Sequence, residues 1–374
     1  MAYIDSVSDV TLATKNYDKF PVILNSEHVV YRLPLKYFVS NRRLWCETTL
    51  VTYSKYLCEF YSQLEVENSE ATFDHINDDW LEAYAFQILN RNQNKPTYVS
   101  QLLNFIVHFL LWCEENSYCK NLIGTNKSFK IKVIKTRKSY THQLVQAYEK
   151  QKSAPKNAPK ISWIEKILEE ENFKSEDLLT RFSLMIDWGK EAGLRAKEIV
   201  ELCIDQIPSR EDIEKSIISK EMIYIKLTAT KGKVENNIPI SSILLKRTRD
   251  YIDFERVKLI KKLQSKSELS GEKYDEPIEI FLSSRSGKKL HKRTLSNQVR
   301  KAWVSALKNE QLGKNQYVWL HGLRHYFATK KLVDVDEIKS VRNPEEFTKT
   351  LTRHKHSSTL NIYTNRIILD DMYG

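Results

Sequence analysis

The reading of this chain turns on the stretch WLHGLRHYFATKKL, residues 319–332. His321 and Arg324 stand three apart, which puts both on one face of a helix, while Phe327 and Leu332 can face a core. A guanidinium fork and an imidazole N–H aimed the same way can hold the oxygens of a phosphate. Taken alone, the same pattern also describes a core helix with a satisfied histidine. The rest of the chain has to decide between the two.

Length and composition narrow the choice. At 374 residues, with 41% hydrophobic and 29% charged, the chain suits two globular domains of about 100–200 residues each. The most apolar window, residues 99–116, is broken by Gln101, Asn104 and His108 and is shorter than the roughly 20 apolar residues a bilayer demands, so it reads as a buried helix. The opening MAYIDSVSDV lacks a signal-peptide pattern, and five cysteines without Cys-x-x-Cys spacing suggest neither a disulfide framework nor a zinc site. A cytoplasmic, DNA-associated location and no membrane partner are expected. The formal net charge of +11 points to an anionic partner, most simply nucleic acid.

Much of that charge is concentrated. Between Lys120 and Lys160 lie eleven Lys or Arg residues against one acid, Glu149. With the Ala-Pro repeats of EKQKSAPKNAPK (149–160), this segment reads as a basic linker, and Lys132, Lys135, Arg137 and Lys138 are its candidate DNA contacts.

Four pieces follow from the patterning. Residues 1–42 form an N-terminal extension with β-like runs at 20–25 and 29–39. Residues 43–120 form a helical bundle, in which Tyr53, Leu57, Phe60, Tyr61 and Leu64 make one stripe and Thr48 or Thr49 offers an N-cap. Residues 121–160 are the linker. Residues 161–374 form a second domain: helical over 162–202 with breaks near Asn172 and Gly193, a hairpin from 222–230 and 236–241, an extended run at 278–284, then mostly helix.

Inside that second domain, other polar residues suit phosphate chemistry. Arg195 in GLRAKE precedes Glu198 by one helical turn, Lys231 sits at the expected hairpin tip, and TRHKHSSTLNIYTN (352–365) sets His354 nine residues before Tyr363. Gly-rich phosphate loops, zinc patterns and nucleophile elbows are missing, and the Asp pairs at 78–79 and 370–371 look like surface or terminal pairs. Phosphate chemistry here would use no metal or other cofactor, leaving Arg, Lys, His and Tyr as tools.

In their order, Arg195, Lys231, His321-x-x-Arg324, His354 and Tyr363 resemble the signature of the tyrosine recombinase (phage integrase) family. GLRAKEIVEL is similar to its first box, KGKVENNIP to its hairpin box, HGLRHYFAT to its His-x-Leu-Arg-His box, and RHKHSSTLNIY keeps the step from histidine to tyrosine. Arg353 replaces the usual Gly before His354, Thr230 a Gly before Lys231, and Asn237 a commonly basic residue; about seven extra residues lie around 334–347.

The resemblance implies a mainly α fold with a small β-sheet: a helical core-binding domain and a catalytic domain that together close as a clamp on DNA. It implies a site-specific recombinase or integrase, the kind of enzyme mobile elements carry, acting through a 3′-phosphotyrosyl intermediate and a Holliday junction. It makes Tyr363 the nucleophile, Arg195 and Arg324 the phosphate ligands, Lys231 the general acid, His321 a proton-transfer aid and His354 a phosphate ligand. It further implies a homotetramer on paired sites of double-stranded DNA, with room for accessory DNA-bending proteins, and makes the C-terminal tail (366–374) a candidate to dock on a neighbouring protomer. A type IB topoisomerase and a catalytically silent architectural protein are the alternatives.

Overall fold

The computed structural model describes the chain except residues 13, 69, 138, 152–157, 170–174, 229–234, 272, 337–342 and 354–374. Lys138, Lys231, His354 and Tyr363, the C-terminal tail (366–374) and part of the Ala-Pro stretch of the expected linker lie outside the described residues. The chain divides into two units, Met1–Ala154 and Pro155–Gly374.

The first unit opens with a hairpin, β1 (Tyr3–Leu12) against antiparallel β2 (Lys15–Leu24). Tyr17, Phe20 and Ile23 of β2 are buried. The expected second β-run, 29–39, is instead mostly helix α1 (Arg32–Ser40). Pro34 lies in its first turn, where no backbone N–H is needed, and Tyr37 and Phe38 go inward at helical rather than strand spacing. Helix α2 (Glu47–Glu67) buries Leu57, Phe60, Tyr61 and Leu64 as the stripe requires, and Tyr53 stacks on Phe105 with ring centroids 4.1 Å apart. Its N-cap is Cys46, not Thr48 or Thr49; both threonine hydroxyls sit 3.2 Å from the Cys46 sulfur. Helix α3 (Asp78–Asn90) is capped by the Asn77 side chain, which accepts from the Trp80 N–H, and α4 (Pro96–Glu115) is the apolar helix at the centre of this unit. No described helix is long and apolar enough to cross a membrane.

Residues 121–151 are folded rather than a plain linker. β3 (Ile123–Gly124) runs parallel to β4 (Ile131–Lys135), β4 pairs antiparallel with β5 (Tyr140–His142), and α5 (Gln143–Lys150) follows. In IKVIK the apolar Ile131 and Val133 face in while Lys132 between them faces water, a period-2 start that the density of charge conceals; Lys135 at the strand end is exposed as well. His142 is almost fully buried: it bonds Asp78 through Nε2 at 3.0 Å and accepts the Leu144 N–H. Asp78 also accepts the Lys132 backbone N–H, so this acid ties the β4–β5 ribbon to α3.

The second unit begins with α6 (Ile161–Glu169), α7 (Glu176–Glu191) and α8 (Ala196–Val200), then α9 (Arg210–Ser219). The expected hairpin is β6 (Ile223–Leu227) against antiparallel β7 (Asn236–Ile240), with Lys231 between them in sequence. α10 (Ser242–Tyr251) runs through a π-helical turn at Ile252–Arg256 into α11 (Val257–Ser270). The run at 278–284 is extended and makes isolated bridges, Cys203 to Glu279 and Leu282 to Lys289. Helices α12 (Lys292–Lys308), α13 (Leu320–Asp336) and α14 (Pro344–Thr352) complete the described chain.

Two glycines let α13 approach α7. A Cβ on Gly189 would lie 2.8 Å from Leu323 Cδ1, and Gly193, in the left-handed region at φ +62°, has no room for one beside the Phe327 ring. Substituting Gly193→Ala should cost about 2 kcal/mol or more, from backbone strain and overpacking together. The check is the urea unfolding midpoint of the variant; a midpoint equal to wild type would show that the turn relaxes freely.

Candidate active site

The first arginine is placed by a turn. After α7 the chain reverses at Gly193, and Arg195 becomes the N-cap of α8. Glu198, one turn on, accepts the Arg195 backbone N–H at Oε2 and its guanidinium Nη1 at Oε1, both at 2.8 Å. The Glu198 side chain is 1% exposed and the Arg195 side chain 31%, so a buried carboxylate holds a cation that still reaches solvent.

The second arginine comes from α13. Arg324 is 1% exposed, and its Nη1 donates to the Gly193 carbonyl at 2.6 Å while Nη2 donates to the Thr352 carbonyl at the end of α14. Phe327 and Leu332 on the same helix are buried, as the spacing requires. His321 stands at the exposed start of α13, with the His325 ring edge-on at 4.9 Å. Desolvation by the packed surroundings, then the charges of Arg324 and Arg195, hold its pKa below the ordinary histidine value. His321 and Arg324 share α13, and Arg324 reaches the Gly193 turn that leads into Arg195. Burial, His321 and Arg324 push His325 further down, to about 4.

A third guanidinium joins them. Arg353, the C-cap of α14, has φ +56°, and its Nη2 donates to Glu198 Oε2 at 3.2 Å and to the Gly193 carbonyl at 3.3 Å. Left-handed backbone costs an ordinary residue roughly 1–2 kcal/mol, which is the physical reason a glycine suits this place. Three guanidiniums thus gather on one carboxylate and one peptide carbonyl, a net-positive pocket suited to a phosphodiester.

The surface candidates fare differently. Lys132, Lys135 and Arg137 are exposed in the first unit, but Lys132 Nζ lies 3.7 Å from Asp78 Oδ2 and is partly engaged there. A basic surface that the sequence reading passed over is α12, which carries Lys292, Arg293, Arg300, Lys301 and Lys308 without an acid. Asn297, Gln298, Arg300 and Lys301 line a shallow groove on it. Its signal was visible as an amphipathic helix with cations on one side.

The Phage integrase family model matches residues 160–367. The chain belongs to the phage integrase family. Among curated proteins, the tyrosine recombinase XerC of Halalkalibacterium halodurans is 24% identical over 321 residues, covering 83% of this chain and 92% of the relative. Among solved structures, a lambda integrase dimer bound to a COC′ core site superposes with a TM-score of 0.55 at 14% identity, covering 89% of this chain and 94% of that one. A lambda integrase tetramer bound to a Holliday junction gives 0.53 at 14% identity, covering 87% and 77%. At these identities the structural matches establish the integrase fold, mainly α with small sheets.

The histidine pair predicts a pH dependence. An unfolded chain protonates His325 below the ordinary value of 6.5, whereas the fold resists until about 4. Its contribution to stability is therefore complete above pH 6.5 and is lost as pH falls towards 4. Urea midpoints measured across that window should fall for wild type and fall less for His325→Asn.

Proposed function

We propose that this integrase-family chain is a site-specific DNA recombinase that breaks and rejoins strands through a 3′-phosphotyrosyl intermediate and a Holliday junction. The observation that carries the reading is the convergence of Arg195 and Arg324 at the Gly193 turn, with His321 on the same helix as Arg324. A tyrosine hydroxyl, with an ordinary pKa of about 10, needs help to attack a phosphodiester carrying negative charge. The two guanidiniums supply that help by neutralising the phosphate as it becomes pentacoordinate.

In this reaction the Tyr363 oxygen attacks phosphorus, the bond to the 5′-oxygen breaks, and Lys231 donates a proton to that leaving oxygen. His321, whose pKa is lowered by desolvation and by the two arginines, assists the transfer by taking the proton that the Tyr363 hydroxyl gives up, and His354 donates to a phosphate oxygen. The phosphotyrosyl bond retains the energy of the phosphodiester, so a 5′-hydroxyl from a second duplex reverses the step without ATP. The partners are double-stranded DNA carrying recombination sites and three further copies of the chain, as in the tetramer on a junction, with accessory DNA-bending proteins compatible with the scheme. Within the first unit, residues 43–120 act as the core-binding bundle, and Lys132, Lys135, Arg137 and Lys138 add phosphate contacts. Nothing favours the topoisomerase or silent architectural alternatives: the curated relative is named a recombinase, and both arginines are present and held.

The test is covalent capture on nicked duplexes with a randomised core, followed by denaturing electrophoresis. Wild type should give a protein–DNA adduct; Tyr363→Phe should give none, and Arg195→Ala or Arg324→Ala should lower its rate by about 10²–10³. No adduct from any duplex in the pool would sink the reading. Separately, neutralising Lys135, Arg137, Arg300 or Lys301 should flatten the salt dependence of binding by about 0.9 in log–log slope for each phosphate no longer neutralised. An unchanged slope would remove that residue from the DNA surface.

A further inference from the structure

Arg353 occupies a position where the family's motif has glycine, and the hydrogen bonds it makes are ones glycine cannot make. We propose that Arg353 is a positioning residue for strand cleavage: by bridging the Glu198 carboxylate and the Gly193 carbonyl, it locks Arg195 and Arg324 into one charged cluster. This role rests on the recombinase reading and deepens it.

The connections make the case. Arg324 and Arg353 share the Gly193 carbonyl; Arg195 and Arg353 share Glu198. Arg353 is the residue common to both acceptors, so the two phosphate-binding arginines are tied through it as well as through the backbone between Gly193 and Arg195. Arg324 also holds the Thr352 carbonyl, immediately before Arg353, so the loop is closed from both sides.

The charge count points the same way. Glu198 with Arg195 alone is a neutral pair. With Arg353 on the same carboxylate the group carries a net positive charge, and Arg195 keeps more of its own for a phosphate. Arg353 does this from inside: its side chain is 9% exposed, so it is not a surface DNA contact. Its Nε and Nη1 are buried without a hydrogen-bond partner among the described residues, and its backbone is left-handed. A residue needed only to fill space would carry neither burden, since an apolar side chain fills space without stranded N–H groups.

The experiment compares wild type with Arg353→Gly, Arg353→Gln and Arg353→Lys in single-turnover cleavage of a nicked duplex selected by covalent capture on wild type. The affinity for the same duplex and the folded fraction are measured in parallel. Glycine relieves the backbone strain and glutamine keeps a donor without charge; both should cleave at least about tenfold more slowly, with affinity unchanged, because an active-site group has been left unfixed. Lysine keeps the ion pair to Glu198 but not the planar fork, and should recover part of the rate. If Arg353→Gly does not fold, Arg353→Gln and Arg353→Lys carry the comparison. Glutamine matching wild type, or cleavage falling only as far as affinity or folded fraction falls, overturns the proposal while leaving the recombinase reading intact. A wild type that forms no adduct overturns that reading instead.

Discussion

One peptide carbonyl, that of Gly193, organises the second unit's polar centre. It can do so because the chain turns there through a left-handed conformation that glycine adopts without penalty, against a Phe327 ring that leaves no room for a side chain. The turn ends α7, aims a carbonyl at Arg324 and Arg353, and two residues later delivers Arg195 to the start of α8. Burying a guanidinium is expensive unless its N–H groups find acceptors. A neutral carbonyl supplies acceptance without cancelling charge, which a second carboxylate would have done. The site therefore stays positive even though Arg324 is almost fully buried.

That positive balance has a further effect on the neighbouring imidazoles. His321 and His325 lie against each other on the helix that carries Arg324, so adding a proton to either would place cation beside cation. The pKa of each is accordingly held below the ordinary histidine value. One electrostatic arrangement, the clustered guanidiniums, thus makes the pocket positive and lowers the basicity of both histidines.

Much of this was legible in the residues. The stripe on α2, the β6–β7 pairing and the face shared by His321 and Arg324 follow from spacing alone, since local periodicity decides them. What escaped depended on longer-range context. The IKVIK strand was hidden because lysines set among its apolar residues look like linker charge until a neighbouring strand gives them a face. The helix at Arg32–Ser40 was hidden because a proline that disfavours a strand is harmless in a first helical turn. The engagement of Arg353 could not be read at all: its left-handed backbone and its two acceptors, 155 and 160 residues away in sequence, exist only after α14 is in place.

The exposed cations and the clustered ones differ in how they are held. Cations on β4 and on α12 are exposed and their fields are screened by salt, so any one can be replaced at modest cost to the fold. Arg195, Arg324, Glu198 and Arg353 form a connected set in which removing one member takes a hydrogen bond from an acceptor or donor shared with another. Substitutions within that set should be strongly non-additive, because the first breaks the geometry on which the effect of the second depends. The surface can drift to suit a new DNA site, whereas the Gly193 turn and its cations have to change together or not at all.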